Sequence, residues 1–185
     1  MTLLLDHENL SAMLDRINSW IENCDTKVSI ILSVYGVFSG ILLTTDCVTR
    51  FIDIFGLALK KSIFPDIIIW GEILIPLLIV LCGLFHLFSS LLAKIKLEEF
   101  QQRGVRADSV IFFSTIAKNK SLSDYQSKLQ NYSNDEIIED FISQIYICSL
   151  ICERKFSQYS KGLIKILLGS FLLLLGLITV LIQSH

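Results

Sequence analysis

Apolar residues recur at alternating steps of four and three along the first third of the chain: Leu10, Leu14, Ile17, Ile21, Cys24, Val28, Ile31, Tyr35, Phe38 and Leu42. That spacing predicts a single helix packed lengthwise against partners. The faces away from this seam change character at Lys27. Before it they carry Asp15, Arg16, Asn18, Ser19, Glu22, Asn23, Asp25 and Thr26; after it no charge appears until Asp46. A helix with a polar back that turns lipid-compatible is leaving water and entering a bilayer. The reading is a stalk at 1–27 fused to a span at 28–45.

The connection 46–66 mixes Phe51, Ile52, Ile54, Phe55 and Leu57 with Arg50, Asp53, Lys60 and Lys61, which suits an amphipathic helix in the membrane interface. A second span is expected over 67–92, with Glu72 and Pro76 near its start and His86 well inside it. From 93 to 162 the composition turns soluble. LAKIKLEEFQQ reads as a polar continuation of the second span's helix, broken at Gly104. A long amphipathic helix then starts near Ser133, where Ser133 and Glu136 have the form of a capping box. Its apolar stripe is read as Ile137, Phe141, Ile145, Cys148, Cys152, Phe156 and Tyr159. The third span, 163–182, is an uninterrupted apolar run long enough to cross ~30 Å of hydrocarbon. The predicted fold is all-α: a three-span membrane protein with a small cytosolic helical subdomain formed by the stalk and the insert. Lys94, Lys96, Lys161 and Lys165 lie close to span ends, which places the N-terminus and 93–162 in the cytoplasm.

Composition agrees with a membrane protein. Hydrophobic residues make up 52% of the chain and charged residues 18%, and mean hydropathy is +0.61. A net charge of −2 gives no electrostatic footprint for nucleic acid. The 5 cysteines form no CxxC pair and read as small buried hydrophobes. The N-terminus lacks the basic and long apolar regions of a cleavable signal peptide, so the first span is expected to direct insertion.

Catalysis has little support. The three histidines, His7, His86 and His185, are too far apart to converge, and no nucleophile, phosphate-loop or metal motif is present. No metal site or cofactor is expected. Glu139 and Asp140 are read as solvated. Gln144 and Lys155, eleven residues apart, fall within about 20° of each other on the long helix, on or beside its apolar stripe. A stalk packed on that helix brings Trp20, Asn23, Asp25 and Lys27 to the same membrane-proximal region. Those six residues could hold a small anionic nucleotide; a purely structural Asp25–Lys155 or Asp25–Lys27 pairing accounts for them as well. Gly36 and Gly40 form a small-residue face for helix packing or oligomerisation, as do Gly169 and Gly176; for Gly36 and Gly40, packing against the second span is the plainer expectation.

Three blocks carry a resemblance: WIENCDTKVSIIL at the first span, VIFFSTIAKNKSLSDYQSKL, and DFISQIYICSLICERKF ahead of the third span. Their order and spacing resemble the transmembrane effectors of bacterial Pycsar antiphage systems (the PycTM-like family). The matching positions are Trp20, Asp25, Lys27, Phe112, Phe113, Ala117, Tyr125, Gln144, Ile145, Lys155 and Phe156. The resemblance implies a partner pyrimidine nucleotide cyclase that makes cyclic CMP or cyclic UMP, and an effector that senses it, damages the inner membrane and causes abortive infection. A homo-oligomer assembled through the Gly36/Gly40 or Gly169/Gly176 face, in contact with the lipid bilayer, is a further expectation. A non-gated membrane adaptor and a small channel subunit using His86 are the alternatives.

Overall fold

The computed structural model describes residues 6–61, 66–92 and 108–184. Of these, 89% are helical and none is in a strand. The helices are α1 (His7–Leu42), α2 (Thr45–Lys61), α3 (Asp66–Leu91), α4 (Phe113–Ile116), α5 (Leu122–Gln130) and α6 (Asn134–Ser184). α1, α3 and α6 are each long and apolar enough to cross a membrane. The expected helical continuation at 93–103 and its break at Gly104 lie outside the described residues.

The chain forms two compact units, Met1–Asn23 with Ala93–Lys155 and Cys24–Leu92 with Phe156–His185. The division on α1 falls before Cys24 rather than after Lys27. Stalk and first span are one uninterrupted helix, and so are the long amphipathic helix and the third span.

In the second unit α3 and α6 are held by close backbone approach. A Cβ built on Gly162 meets the Gly83 carbonyl at 2.9 Å, one on Gly169 meets the Pro76 carbonyl at 2.9 Å, and one on Gly176 meets the Glu72 carbonyl at 2.6 Å. The α6 glycines are spaced by seven, which keeps them on one face toward α3. The last contact has a local cause. Pro76 has no N–H for the Glu72 carbonyl, and a glycine there lets the neighbouring helix close over that carbonyl. Lipid supplies no hydrophobic drive between spans, so such close packing is what holds them. The Glu72 carboxylate accepts a 2.6 Å hydrogen bond from Thr179 Oγ1, which satisfies one oxygen of a carboxylate near the end of the span.

α1 joins this pair through a core of Cys24, Val28, Leu87 and Ile166, flanked by Ile31, Tyr35 and Tyr159. Tyr35 Oη and Ser170 Oγ lie 2.5 Å apart. The α1 seam is buried or half-buried from Leu10 to Tyr35 and then emerges: Phe38 is 61% exposed and Leu42 63%. Here the expectation for Gly36 and Gly40 fails, because neither has any atom within 4 Å of a built Cβ. α2 takes the vacated place. Leu43 and Thr44 end α1 and turn the chain into α2, with Thr44 Oγ1 donating to the Ile41 carbonyl at 2.8 Å. Phe55 is then buried with Val180 and meets Trp70 edge-on at 4.6 Å. Cys24 and Cys152 are buried as expected of the cysteines, whereas Cys82 is exposed.

The start of α6 carries the expected reciprocal cap. Glu136 N–H donates to Ser133 Oγ at 3.3 Å, and Ser133 N–H donates to Glu136 Oε2 at 2.9 Å. Ser133→Ala is expected to cost about 0.5–2 kcal/mol and, in a helix this long, to act locally. Hydrogen exchange of the amides at 134–138 should accelerate; unchanged protection there would show that the cap contributes nothing.

Candidate ligand site

The first unit is built around a short irregular segment, 108–112, held from both sides. α5 reaches it by the Tyr125 hydroxyl, which donates to the Val110 carbonyl at 2.9 Å, and by the Lys128–Asp108 ion pair. The Tyr132 hydroxyl, just beyond α5, donates to the Asp108 carbonyl at 2.8 Å. From α6, Asp140 Oδ2 accepts both the Ser109 hydroxyl (3.0 Å) and the Val110 N–H (2.8 Å). Ser109 Oγ accepts in turn from the N–H groups of Ile111 and Phe112. Polar atoms thus fix a loop whose Val110 is buried, and they leave the Phe112 and Phe113 rings outside it, 38% and 74% exposed.

Asp140 overturns the sequence reading that called it solvated: it is fully buried, and only Glu139 of that pair is exposed. Its Oδ1 has no hydrogen-bond partner among the described residues. Gln144, one turn on, and Lys155 are also buried, at 5% and 6% exposure. These residues belong to one seam. Buried positions on α6 run Asp140, Gln144, Cys152, Lys155, Gly162, Ile166, Gly169, Gly176 and Val180 at steps of mostly three and four. The predicted stripe of Ile137, Phe141 and Ile145 is half-buried and flanks it by one position. Hydrophobicity there marks the edge of the contact face, while its centre is polar. An aspartate on a seam that leads into Gln144 and Lys155 was the available signal.

Of the other candidates, Trp20 and Asn23 are exposed and belong to the first unit with Gln144 and Lys155. Asp25 (half-buried) and Lys27 (exposed) belong to the second unit. Gly169 and Gly176 face α3 of the same chain, whereas a Cβ on Gly36 or Gly40 meets no described neighbour within 4 Å. Burial pushes the Cys148 thiol above its ordinary pKa, and neighbouring Cys152 adds to the effect, the opposite of what a nucleophilic thiolate needs. Among the described residues no group of histidine, cysteine or carboxylate side chains could hold a metal ion.

The second unit has a polar cluster of its own. Lys165 Nζ donates to His86 Nε2 at 2.7 Å and to Cys82 Sγ at 3.2 Å. His86 Nδ1 faces Gln158 Oε1 at 2.7 Å. A lysine donor on Nε2 requires the tautomer with its proton on Nδ1, which then donates to Gln158. The histidine inside the span is therefore tied to the neighbouring helix. Towards the other end of these helices an open apolar cleft of about 440 Å³ runs past Glu72, Pro76, Leu175 and Thr179.

No solved structure matches the chain. A curated relative, the Pycsar effector protein GmPycTM of Gulbenkiania mobilis, is 34% identical over 158 residues, which cover 80% of each chain. The Pycsar effector protein domain, PycTM, matches residues 9–183, which take in most of both units and nearly all of the three long apolar helices, and the chain belongs to that family.

Proposed function

We propose that this chain is the membrane effector of a bacterial antiphage system, activated by cyclic CMP or cyclic UMP, and that its activation impairs the inner membrane and causes abortive infection. The observation that carries this reading is the family match across residues 9–183. The first unit lies on the cytoplasmic side and takes the nucleotide through Lys155 and Gln144, with Trp20 and Asn23 on the stalk. Lys155 is buried although it is charged, and a lysine cation is a suitable group to meet a cyclic phosphate. The ligand binds one arrangement of this unit better than another, and that difference in affinity is the most it can contribute to a shift. Two uninterrupted helices, α1 and α6, carry the change into the spans. A pyrimidine nucleotide cyclase supplies the signal.

The test is equilibrium binding of cyclic CMP, cyclic UMP, cyclic AMP and cyclic GMP to the full chain in detergent. Binding of one or both pyrimidine nucleotides at micromolar or lower concentration is expected. Lys155→Met, which keeps the apolar stem, should weaken it roughly 10–100-fold by removing a charge-assisted hydrogen bond. Folded protein that binds none of the four would sink the reading in favour of an adaptor.

A further inference from the structure

We infer that the cleft between α3 and α6 is a lipid site, and that its occupant is a phospholipid with a primary ammonium headgroup, phosphatidylethanolamine, held by Glu72. The site lies within the second unit and does not rest on the nucleotide reading.

The cleft is apolar along its length and acidic at one end. Ile75, Pro76, Leu172 and Leu175 line it, with Glu72 and Thr179 at the end nearer the start of α3. Among the described residues that line it Glu72 carries the only charge, and no lysine or arginine is present. Thr179 Oγ1 gives the half-buried carboxylate one neutral hydrogen bond, to Oε2. A hydroxyl does not neutralise a carboxylate, and a charge drawn out of water at membrane depth calls for a partner of opposite sign. The lining leaves that part to whatever fills the cleft.

Depth decides the kind of cation. Trp70, 47% exposed, lies two residues before Glu72, and tryptophan gathers at the level of the headgroups. From Glu72 to the end of α3 at Leu91 is roughly 28 Å of helix, close to the ~30 Å of the hydrocarbon core. Glu72 therefore stands at the boundary between headgroups and acyl chains. α3 begins at this end, and helical side chains lean toward the N-terminus, so the carboxylate leans toward the headgroups. From Thr179 to Leu172 the cleft runs roughly 10 Å along α6, away from that boundary. It is open to the side, with Ile75 60% and Leu175 44% exposed. A phospholipid fits both ends, with its ammonium on the carboxylate and one acyl chain along the leucines. The opening has a cause in the sequence. A Cβ on Gly71 would meet only Ile75 Cδ1, at 4.0 Å, so the missing side chain leaves the mouth clear.

The charge also selects among occupants. An ammonium on a carboxylate makes charge-assisted hydrogen bonds. A glycerol headgroup offers hydroxyls without a positive charge, and Glu72 repels the net negative charge of phosphatidylglycerol. A second copy of this chain fits less well, because its small-residue face, Gly36 and Gly40, lies in a stretch, 28–45, that holds no cation.

The test is native mass spectrometry of the full chain in detergent with equimolar dioleoyl-phosphatidylethanolamine and dioleoyl-phosphatidylglycerol, which reads the ratio of bound lipids. Wild type is expected to retain phosphatidylethanolamine about 10-fold over phosphatidylglycerol, the lower end for a hydrogen bond to a charged group. Glu72→Gln keeps the size of the side chain and an acceptor for Thr179 but removes the charge, and should bring the ratio close to one. Gly71→Leu should lower retention of both lipids, since leucine enters the mouth with no backbone against its Cβ. Each variant is first shown to be folded by helical circular dichroism and elution volume. A wild type that shows no preference, prefers phosphatidylglycerol or retains neither lipid overturns the inference. So does a folded Glu72→Gln with the wild-type ratio. If Glu72→Gln does not fold, Gly71→Leu decides: undiminished retention of phosphatidylethanolamine places the lipid elsewhere and overturns the site.

Discussion

Gly162→Leu is expected to separate α3 from α6 and abolish the folded second unit. A Cβ there lies 2.7 Å from Leu87 Cδ2 and 2.9 Å from the Gly83 carbonyl oxygen. Leu87 is fully buried in the core with Cys24, Val28 and Ile166, so it has nowhere to turn. The carbonyl belongs to a helix backbone and cannot move alone. Even alanine would force the two helices apart by a few tenths of an ångström, and leucine adds three further carbons to the same gap. Overpacking costs about 1–3 kcal/mol where side chains can yield; where backbone opposes the new atoms the cost should exceed that range. Since spans are held by close packing rather than by exclusion of water, little remains to offset it. The expected result is a large loss of accumulated protein in the membrane and of thermal stability in detergent. Gly36→Leu is the control, because no atom lies within 4 Å of a Cβ at that position. It should leave stability unchanged. It also probes the proposed oligomerising role of Gly36 and Gly40: a stable Gly36→Leu protein that no longer self-associates would support that role. Equal melting of wild type and Gly162→Leu would refute the packing argument.

The two long seams show what a sequence can and cannot disclose here. The α1 seam was legible down to single residues from Leu10 to Tyr35, because apolar spacing and burial coincide there. It failed at Phe38 and Leu42, where the helix is apolar all round and periodicity no longer distinguishes neighbour from lipid. The same blindness hid α2's Phe55, which supplants α1 against Val180. On α6 the error had the opposite origin. The buried line runs through Asp140, Gln144 and Lys155, so apolar periodicity meets it at Cys152 and otherwise marks its flank. Gln144 and Lys155 are visible in the sequence because they interrupt a stripe. Asp140 is not, because an acidic pair is usually solvated, and only the burial of one member separates Asp140 from Glu139. The partners of His86 were equally beyond sequence: Gln158 and Lys165 are more than seventy residues away along the chain, and only the antiparallel register of α3 and α6, set by the glycines, brings them to it.

The His86–Lys165 pair gives the second large expected effect, and it is one of sign as well as size. His86→Leu leaves the Lys165 ammonium half-buried with Cys82 Sγ, at 3.2 Å, as its remaining acceptor among the described residues. Loss of a buried partner costs about 1–3 kcal/mol, and part of that is recovered because the long lysine stem can carry its head toward water. Lys165→Leu alone should cost less, since it leaves only a neutral imidazole nitrogen unmatched. His86→Leu with Lys165→Leu together should return close to wild-type stability, because replacing both members of a buried polar pair with apolar groups is often neutral. Thermal melting of the four proteins in one detergent gives the coupling directly; additive single effects would show that the 2.7 Å contact contributes nothing. The same double variant distinguishes two roles for the cluster. If it is stable and still permeabilises bacteria when activated, His86, Gln158 and Lys165 are a clasp between two spans. A stable double variant that binds nucleotide and leaves the membrane intact would instead place those side chains on the path by which the membrane is breached.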